Sequence, residues 1–191
     1  MSNKMRKTTA KIVHFKGGLR TTIPAQLAMP GPPLGTQLGQ LGANIANFVK
    51  DFNLKTSIFR EGVPLPTRTT INADRSYNLT IHHPTSTFLL KQAAGVSRGA
   101  MEHRKEIVGY LTRKHIYEIA VIKSQDPPLQ MVDLKDICND LIDTAFTIGI
   151  HVVDELNPAE YQKFLENRKL VIAEQLDEIK AAKEAKLLRT A

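Results

Sequence analysis

Two adjacent histidines, a single cysteine, three hydroxyl residues in a short stretch and a glycine-rich run are the residues of this chain whose types invite a chemical reading. His82-His83 offer nitrogen donors that zinc accepts, but neighbours in an extended segment point to opposite sides, and no third ligand stands at a recognisable spacing. Cys138 falls in the apolar stripe Leu134, Ile137, Cys138, Leu141, Ala145 and Ile148 with no base at a readable spacing, so it reads as a structural thiol rather than a nucleophile. Being the only cysteine, it rules out an intrachain disulfide and a cysteine-cluster metal site, and it suits a reducing interior or an organelle matrix. Ser86, Thr87 and Ser97 lack the strand-elbow-helix setting of a hydrolase nucleophile. Gly31 to Gly39 lacks the Gly-Lys-Ser/Thr ending of a nucleotide-binding loop, and Pro30, Pro32 and Pro33 remove amides that a phosphate cradle needs. The expectation is a protein that is not an enzyme and carries no metal and no cofactor.

Charge carries more information. The formal net charge of +7 is segregated: residues 1 to 60 hold nine Lys or Arg against the single acid Asp51, residues 61 to 153 are balanced, and residues 154 to 191 are slightly acidic. Within the balanced stretch, residues 91 to 114 hold the six bases Lys91, Arg98, Arg104, Lys105, Arg113 and Lys114 against Glu102 and Glu106 only. A loop over residues 95 to 109, with Gly95, Gly99 and Gly109 among these bases, has the make-up either of a mobile phosphate-binding surface or of a solvated charged loop. The start, Met1 to Lys16, is basic and hydroxyl-bearing without an acid, as in an organelle-targeting segment or a basic arm lying on RNA, with strand-like alternation at Lys11 to Phe15. No apolar run approaches the roughly 20 residues of a membrane span, and no membrane partner is expected.

The elements that must position these residues follow from period and punctuation. Pro30-Gly31-Pro32-Pro33-Leu34-Gly35 predicts an extended, fairly rigid loop rather than helix. Ile45, Phe48, Val49 and Phe52 predict an amphipathic helix over residues 43 to 53. Thr69 to Ile71 and Tyr77 to Ile81, joined by Asn72 to Arg75, predict a hairpin. The fold class is α+β, with a small N-terminal α/β domain over residues 1 to 83. His82 to Thr85 reads as a linker. A small helical domain over residues 84 to 154 follows: a short helix around Phe88 to Ala93 closed by Gly95, a helix capped by Thr112 running to Lys123, and a helix capped by Asp133 running to Gly149. Asn157-Pro158 opens one long helix in a C-terminal extension, residues 155 to 191, expected to pack through its first half only.

Leu27 to Gln40, Asn44-Ile45 and Phe48 to Asn53 resemble the ribosomal protein L11 family, and the likeness continues through Gly62 to Pro66, Ala73 to Tyr77, Phe88 to Gly95, Thr112-Arg113, Glu118 to Ala120, Thr144-Ala145 and Gly149-Ile150. That resemblance implies a structural constituent of the large ribosomal subunit at the stalk base. Its implied partners are large-subunit ribosomal RNA, neighbouring stalk ribosomal proteins and translational GTPases. It assigns Lys91, Gly95, Arg98, Gly99, Arg104, Thr112, Arg113, Thr144, Thr147 and Gly149 to the RNA contact. Pro30, Pro32, Pro33 and Gly35 go to the segment facing translation factors. Three positions depart from the usual pattern: Thr36 stands where bacterial members carry proline, and Asp143 and Phe146 stand where a glycine and an arginine are usual. The extension from residue 155 and the basic start resemble the mitochondrial branch, so the mitochondrial matrix is the expected location. A bacterial or plastid member, or a non-ribosomal RNA-binding module on the same frame, are the alternatives.

Overall fold

A computed structural model describes residues 18 to 72, 75 to 102 and 104 to 190; the targeting-segment reading and the strand at Lys11 to Phe15 lie outside these residues. The chain divides into two compact units between Ile81 and His82.

The first unit is a three-stranded antiparallel sheet with two helices. Strands β1 (Leu19–Pro24), β2 (Pro64–Ile71) and β3 (Tyr77–Ile81) lie in that order, with Leu19 opposite Thr69 and Thr67 opposite Ile81. In β2 the pleat sends Leu65, Thr67, Thr69 and Ile71 inward and Arg68 and Thr70 outward. Of the two buried threonines, Thr67 is satisfied, its hydroxyl donating to the Thr21 carbonyl at 2.9 Å. Helices α1 (Leu34–Gln40) and α2 (Ile45–Lys55) close the core, in which Ile23, Leu34, Leu38, Phe48, Phe52 and Ile71 meet. Asn44 caps α2 by accepting from the Asn47 amide at 3.2 Å.

One sequence expectation needs correction here, and one strand was not anticipated. Residues 34 to 40 are helix, because the prolines end at Pro33, whose own backbone is already helical at φ −85°, ψ −15°, and the chain behind them is free to wind. Strand β1 has no strong period of its own and is recruited by pairing with β2.

The second unit is mainly helical: α3 (Ser86–Ala93), α4 (Arg113–Ser124), a 3-10 turn at Pro127–Leu129, α5 (Leu134–Ile148) and α6 (Pro158–Thr190). Leu90, Leu111, Ile116, Ile119, Ile137, Leu141 and Ile150 form its core. The stripe read on α5 is the buried one, and Gly149 ends that helix in the left-handed region at φ +91°. The unit also holds a short parallel ribbon that the sequence reading leaves out. Strand β4 (Gly109–Thr112) pairs with β5 (Ile150–Val153), with Gly109 beside Ile150 and Thr112 beside Val153. Four-residue strands buried on one side give too little alternation to be recognised alone.

Candidate nucleic-acid interface

Residues 95 to 108 leave α3, cross the C-terminal end of α5 and feed β4. The Ala100 amide donates to the Ile148 carbonyl at 2.7 Å, and the Val108 amide donates to the Gly149 carbonyl at 2.7 Å. Two glycines permit that approach. A Cβ on Gly99 would lie 2.8 Å from Cγ2 of Ile148, and one on Gly149 would lie 2.5 Å from the Glu106 carbonyl oxygen. Both residues therefore serve the crossing of loop and helix. Gly95 takes φ +66° where α3 turns into the loop, and Lys91 sits in the last turn of α3.

The basic residues divide by environment. Arg104, at φ +63°, is exposed and extends over the ring of Phe146. Arg98 is half-buried and donates to Gln175 of α6. Arg113 opens α4 and pairs with Asp154 at 2.9 Å, both side chains being about three-quarters exposed, so this pair adds little stability. Thr112 caps the same helix: its amide donates to Nδ1 of His115 at 3.2 Å, and its hydroxyl lies 2.8 Å from that nitrogen. Thr144 and Thr147 share a face of α5, where their hydroxyls donate to the carbonyls of Asp140 and Asp143 at 2.8 Å. Arg104, Thr147, Gly149 and Gly99 thus gather at the α5 end of the ribbon, while Thr112 and Arg113 stand at its far end beside Val153 and Asp154.

The loop read as mobile until it meets a phosphate backbone is anchored within the protein itself. Glu106 is the anchor. One carboxylate oxygen accepts from Arg168 at 2.5 Å and from Gln175 at 2.8 Å, and the other accepts from the Met101 amide at 2.5 Å. Burial alone pushes this carboxyl up, but the bonds from Gln175, Arg168 and Met101 outweigh it and hold the pKa down at about 2. Tyr161 adds a second tie, donating to the Ala94 carbonyl at 2.5 Å and accepting weakly from the Tyr110 amide at 3.4 Å. Glu106, Tyr161, Arg168 and Gln175 were missed by the sequence reading. The available signal was periodic: Tyr161, Leu165, Arg168, Ile172, Gln175 and Ile179 form one stripe of α6, with two polar residues set among apolar ones. These contacts carry the packed face as far as Gln175, close to the midpoint of α6.

In the first unit, the proline segment is shaped by the same kind of close approach. A Cβ on Gly35 would meet the Pro30 carbonyl oxygen at 2.1 Å, so only glycine lets Pro30 cross over α1. Asn53 of α2 grips the chain just before it, accepting from the Ala28 amide at 3.1 Å and donating to the Ala28 carbonyl at 3.3 Å. A cleft of about 390 Å³ lies between β1 and this segment, lined by Ile23, Pro24, Met29, Pro32, Pro33 and Leu34.

His82 and His83 face Asp126: their Nδ1 atoms lie 3.8 and 3.5 Å from its carboxylate, which is buried and pairs with Lys123. Among the described residues no group of three possible metal ligands occurs, and no helix is long and apolar enough to cross a membrane.

The fold is a small α+β unit followed by a mainly helical one, with an exposed basic loop braced on a glycine-bearing helix end. Residues 19–77 match the family model "Ribosomal protein L11, N-terminal domain", and residues 82–152 match "Ribosomal protein L11, RNA binding domain". The chain belongs to the ribosomal protein L11 family. It is 53% identical over 186 residues to the large ribosomal subunit protein uL11m of Drosophila melanogaster, covering 97% of this chain and 94% of the relative. The uL11m protein of Caenorhabditis elegans shows the same identity and coverage. The large ribosomal subunit protein uL11 of Roseobacter denitrificans is 38% identical over 136 residues, which are 71% of this chain but 95% of the relative. A protein of that length has no room for a helix like α6 beyond the two family domains.

Proposed function

We propose that this chain is a non-catalytic constituent of the mitochondrial large ribosomal subunit, gripping ribosomal RNA with its second unit and serving translation factors with its first. The observation that carries the reading is a coincidence of regions. The RNA-binding domain of the family spans residues 82–152, and within it the exposed cation Arg104, the capped α4 start at Thr112 and Arg113, and the threonine face of α5 surround the ribbon β4–β5. The mitochondrial setting follows from relatives that match the chain nearly end to end and are named for the mitochondrial particle.

Lys91, Arg98, Arg104 and Arg113 supply the charge, and Gly95, Gly99 and Gly149 let the backbone fold closely enough to present them. Because Thr144 directs its proton into its own helix, its oxygen faces outward as an acceptor, which suits the ribose 2′-hydroxyls of RNA. Binding of the ribosomal RNA transcript by the full chain is expected to weaken steeply with salt, and residues 18 to 81 alone are expected to bind it far less tightly. Equal affinity of that fragment and the full chain overturns the assignment.

The segment Pro30, Pro32, Pro33 and Gly35 is the surface for translational GTPases at the stalk base, beside neighbouring stalk proteins. Gly35 and Asn53 fix its shape, so an arriving factor meets a preformed contact. Replacing the three prolines by alanine is expected to impair factor-stimulated GTP hydrolysis on the ribosome and to spare RNA binding. Loss of both together, or of neither, counts against a separate factor surface.

A further inference from the structure

The part of the chain beyond the RNA-binding domain is not an appendage to it. Helix α6 begins after residue 152, yet it supplies the groups that hold the loop inside that domain. Tyr161 bonds Ala94 where the loop begins and Tyr110 where it ends. Arg168, with its side chain only 6% exposed, pairs with Glu106 at 15%. Gln175 bonds Glu106 and Arg98 at once, so it ties an acid and a base of the loop to one position on α6. Arg168 thus pairs with the carboxylate directly, and Arg98 is joined to it only through the Gln175 amide.

We propose that α6 is a built-in strut that holds residues 95 to 108 in one shape before RNA arrives, with Arg168 and Glu106 as the positioning pair. The inference rests on the RNA-binding reading above and adds a cause for its affinity. An irregular basic loop pays conformational entropy when it orders on a phosphate backbone. A loop already bonded at Ala94, Arg98, Met101 and Glu106 has met that cost during folding. Arg168 and Glu106 are too deeply placed to touch RNA themselves, so their effect is on how the exposed Arg104 is presented.

The test compares full-length wild type with Arg168→Ala, Gln175→Ala, the exchange Glu106→Arg with Arg168→Glu, and Arg104→Ala. Two quantities are read: amide hydrogen exchange over residues 96 to 108, and association with a transcript of the mitochondrial large-subunit ribosomal RNA at several salt concentrations. Arg168→Ala and Gln175→Ala are expected to speed exchange in the loop and to weaken RNA binding by about tenfold or less with an unchanged salt slope, since no phosphate contact is removed. The exchanged pair is expected to recover part of both. Arg104→Ala is expected to lower the salt slope while leaving loop exchange at the wild-type rate. Faster exchange with RNA affinity unchanged or improved overturns the strut, as does unchanged exchange in both Arg168→Ala and Gln175→Ala. If the wild-type chain fails to bind the transcript, the RNA-binding reading falls and the strut with it. Gln175→Ala removes only a partly exposed amide, so the comparison stands even if Arg168→Ala does not fold.

Discussion

The guanidinium of Arg104 lies 5.9 Å from the centre of the Phe146 ring, and His151 flanks the same ring at 5.8 Å. The half-exposed Phe146 ring on the α5 face holds a loop arginine by cation–π attraction. The positive charge that the helix itself lacks at position 146 is thus supplied across space. Phe146→Ala is expected to release Arg104 and weaken RNA binding by a few-fold, matching the roughly 0.5–1 kcal/mol of an exposed cation–π pair. Titration of a fluorescent transcript measures it, and wild-type affinity in the variant would remove Phe146 from the interface.

Lys123 and Asp126 form a buried ion pair, at 7% and 4% exposure, that fixes the connector. The Lys123 ammonium reaches the carbonyls of His83 and Pro84 at 3.5 and 3.4 Å, and the His83 amide donates to Asp126 at 2.8 Å. Lys123→Ala strands the carboxylate, and a drop of about 3–5 kcal/mol in unfolding free energy is expected. Lys123→Met combined with Asp126→Leu is expected to cost much less, because both charges leave together. Urea denaturation of the three proteins checks this, and equal losses in single and double variants would show that the backbone contacts matter more than the charges.

Gly149 offers a sharper stability test. Alanine there meets a left-handed backbone, worth roughly 1–2 kcal/mol, and a Cβ 2.5 Å from the Glu106 carbonyl oxygen. The loss is expected to exceed the torsional part alone and to be accompanied by faster exchange around Glu106. A denaturation midpoint within error of wild type would mean that the loop moves aside freely.

The acid side of the stability profile should carry the mark of Glu106. Its pKa is held down at about 2 in the folded chain against 4.5 ordinarily, so its contribution is complete above about 4.5 and is lost as pH falls toward 2. Thermal unfolding followed by circular dichroism is expected to show this loss in the wild type and a flatter profile over the same range in Glu106→Gln. Parallel profiles would refute it.

The stripes on α2 and α5, the β2–β3 hairpin and the Gly95 and Gly149 helix ends were legible because each rests on local spacing. Strand β1 and the ribbon β4–β5 were not, since their identity comes from partners: Leu19 finds Thr69, and Gly109 finds Ile150. The helix at Leu34 was obscured by the three prolines directly before it. For the interface, the bases and glycines were visible, but their environments were not. Arg98 and Arg104 look alike in sequence, and only packing turns one toward Gln175 and the other toward Phe146. Arg168 was hidden because a charged residue within a helix of abundant Lys and Glu reads as solvated surface.

The parallel pairing of Gly109 with Ile150 joins residues about forty positions apart, across α4 and α5, so the ribbon is a non-local contact whose closure costs more chain entropy than the helices themselves. Tyr161, Arg168 and Gln175 come later still along the chain. During synthesis, the basic loop therefore spends an interval without its fastenings, able to stick to any polyanion at hand, and that interval closes only when the last helix emerges and docks.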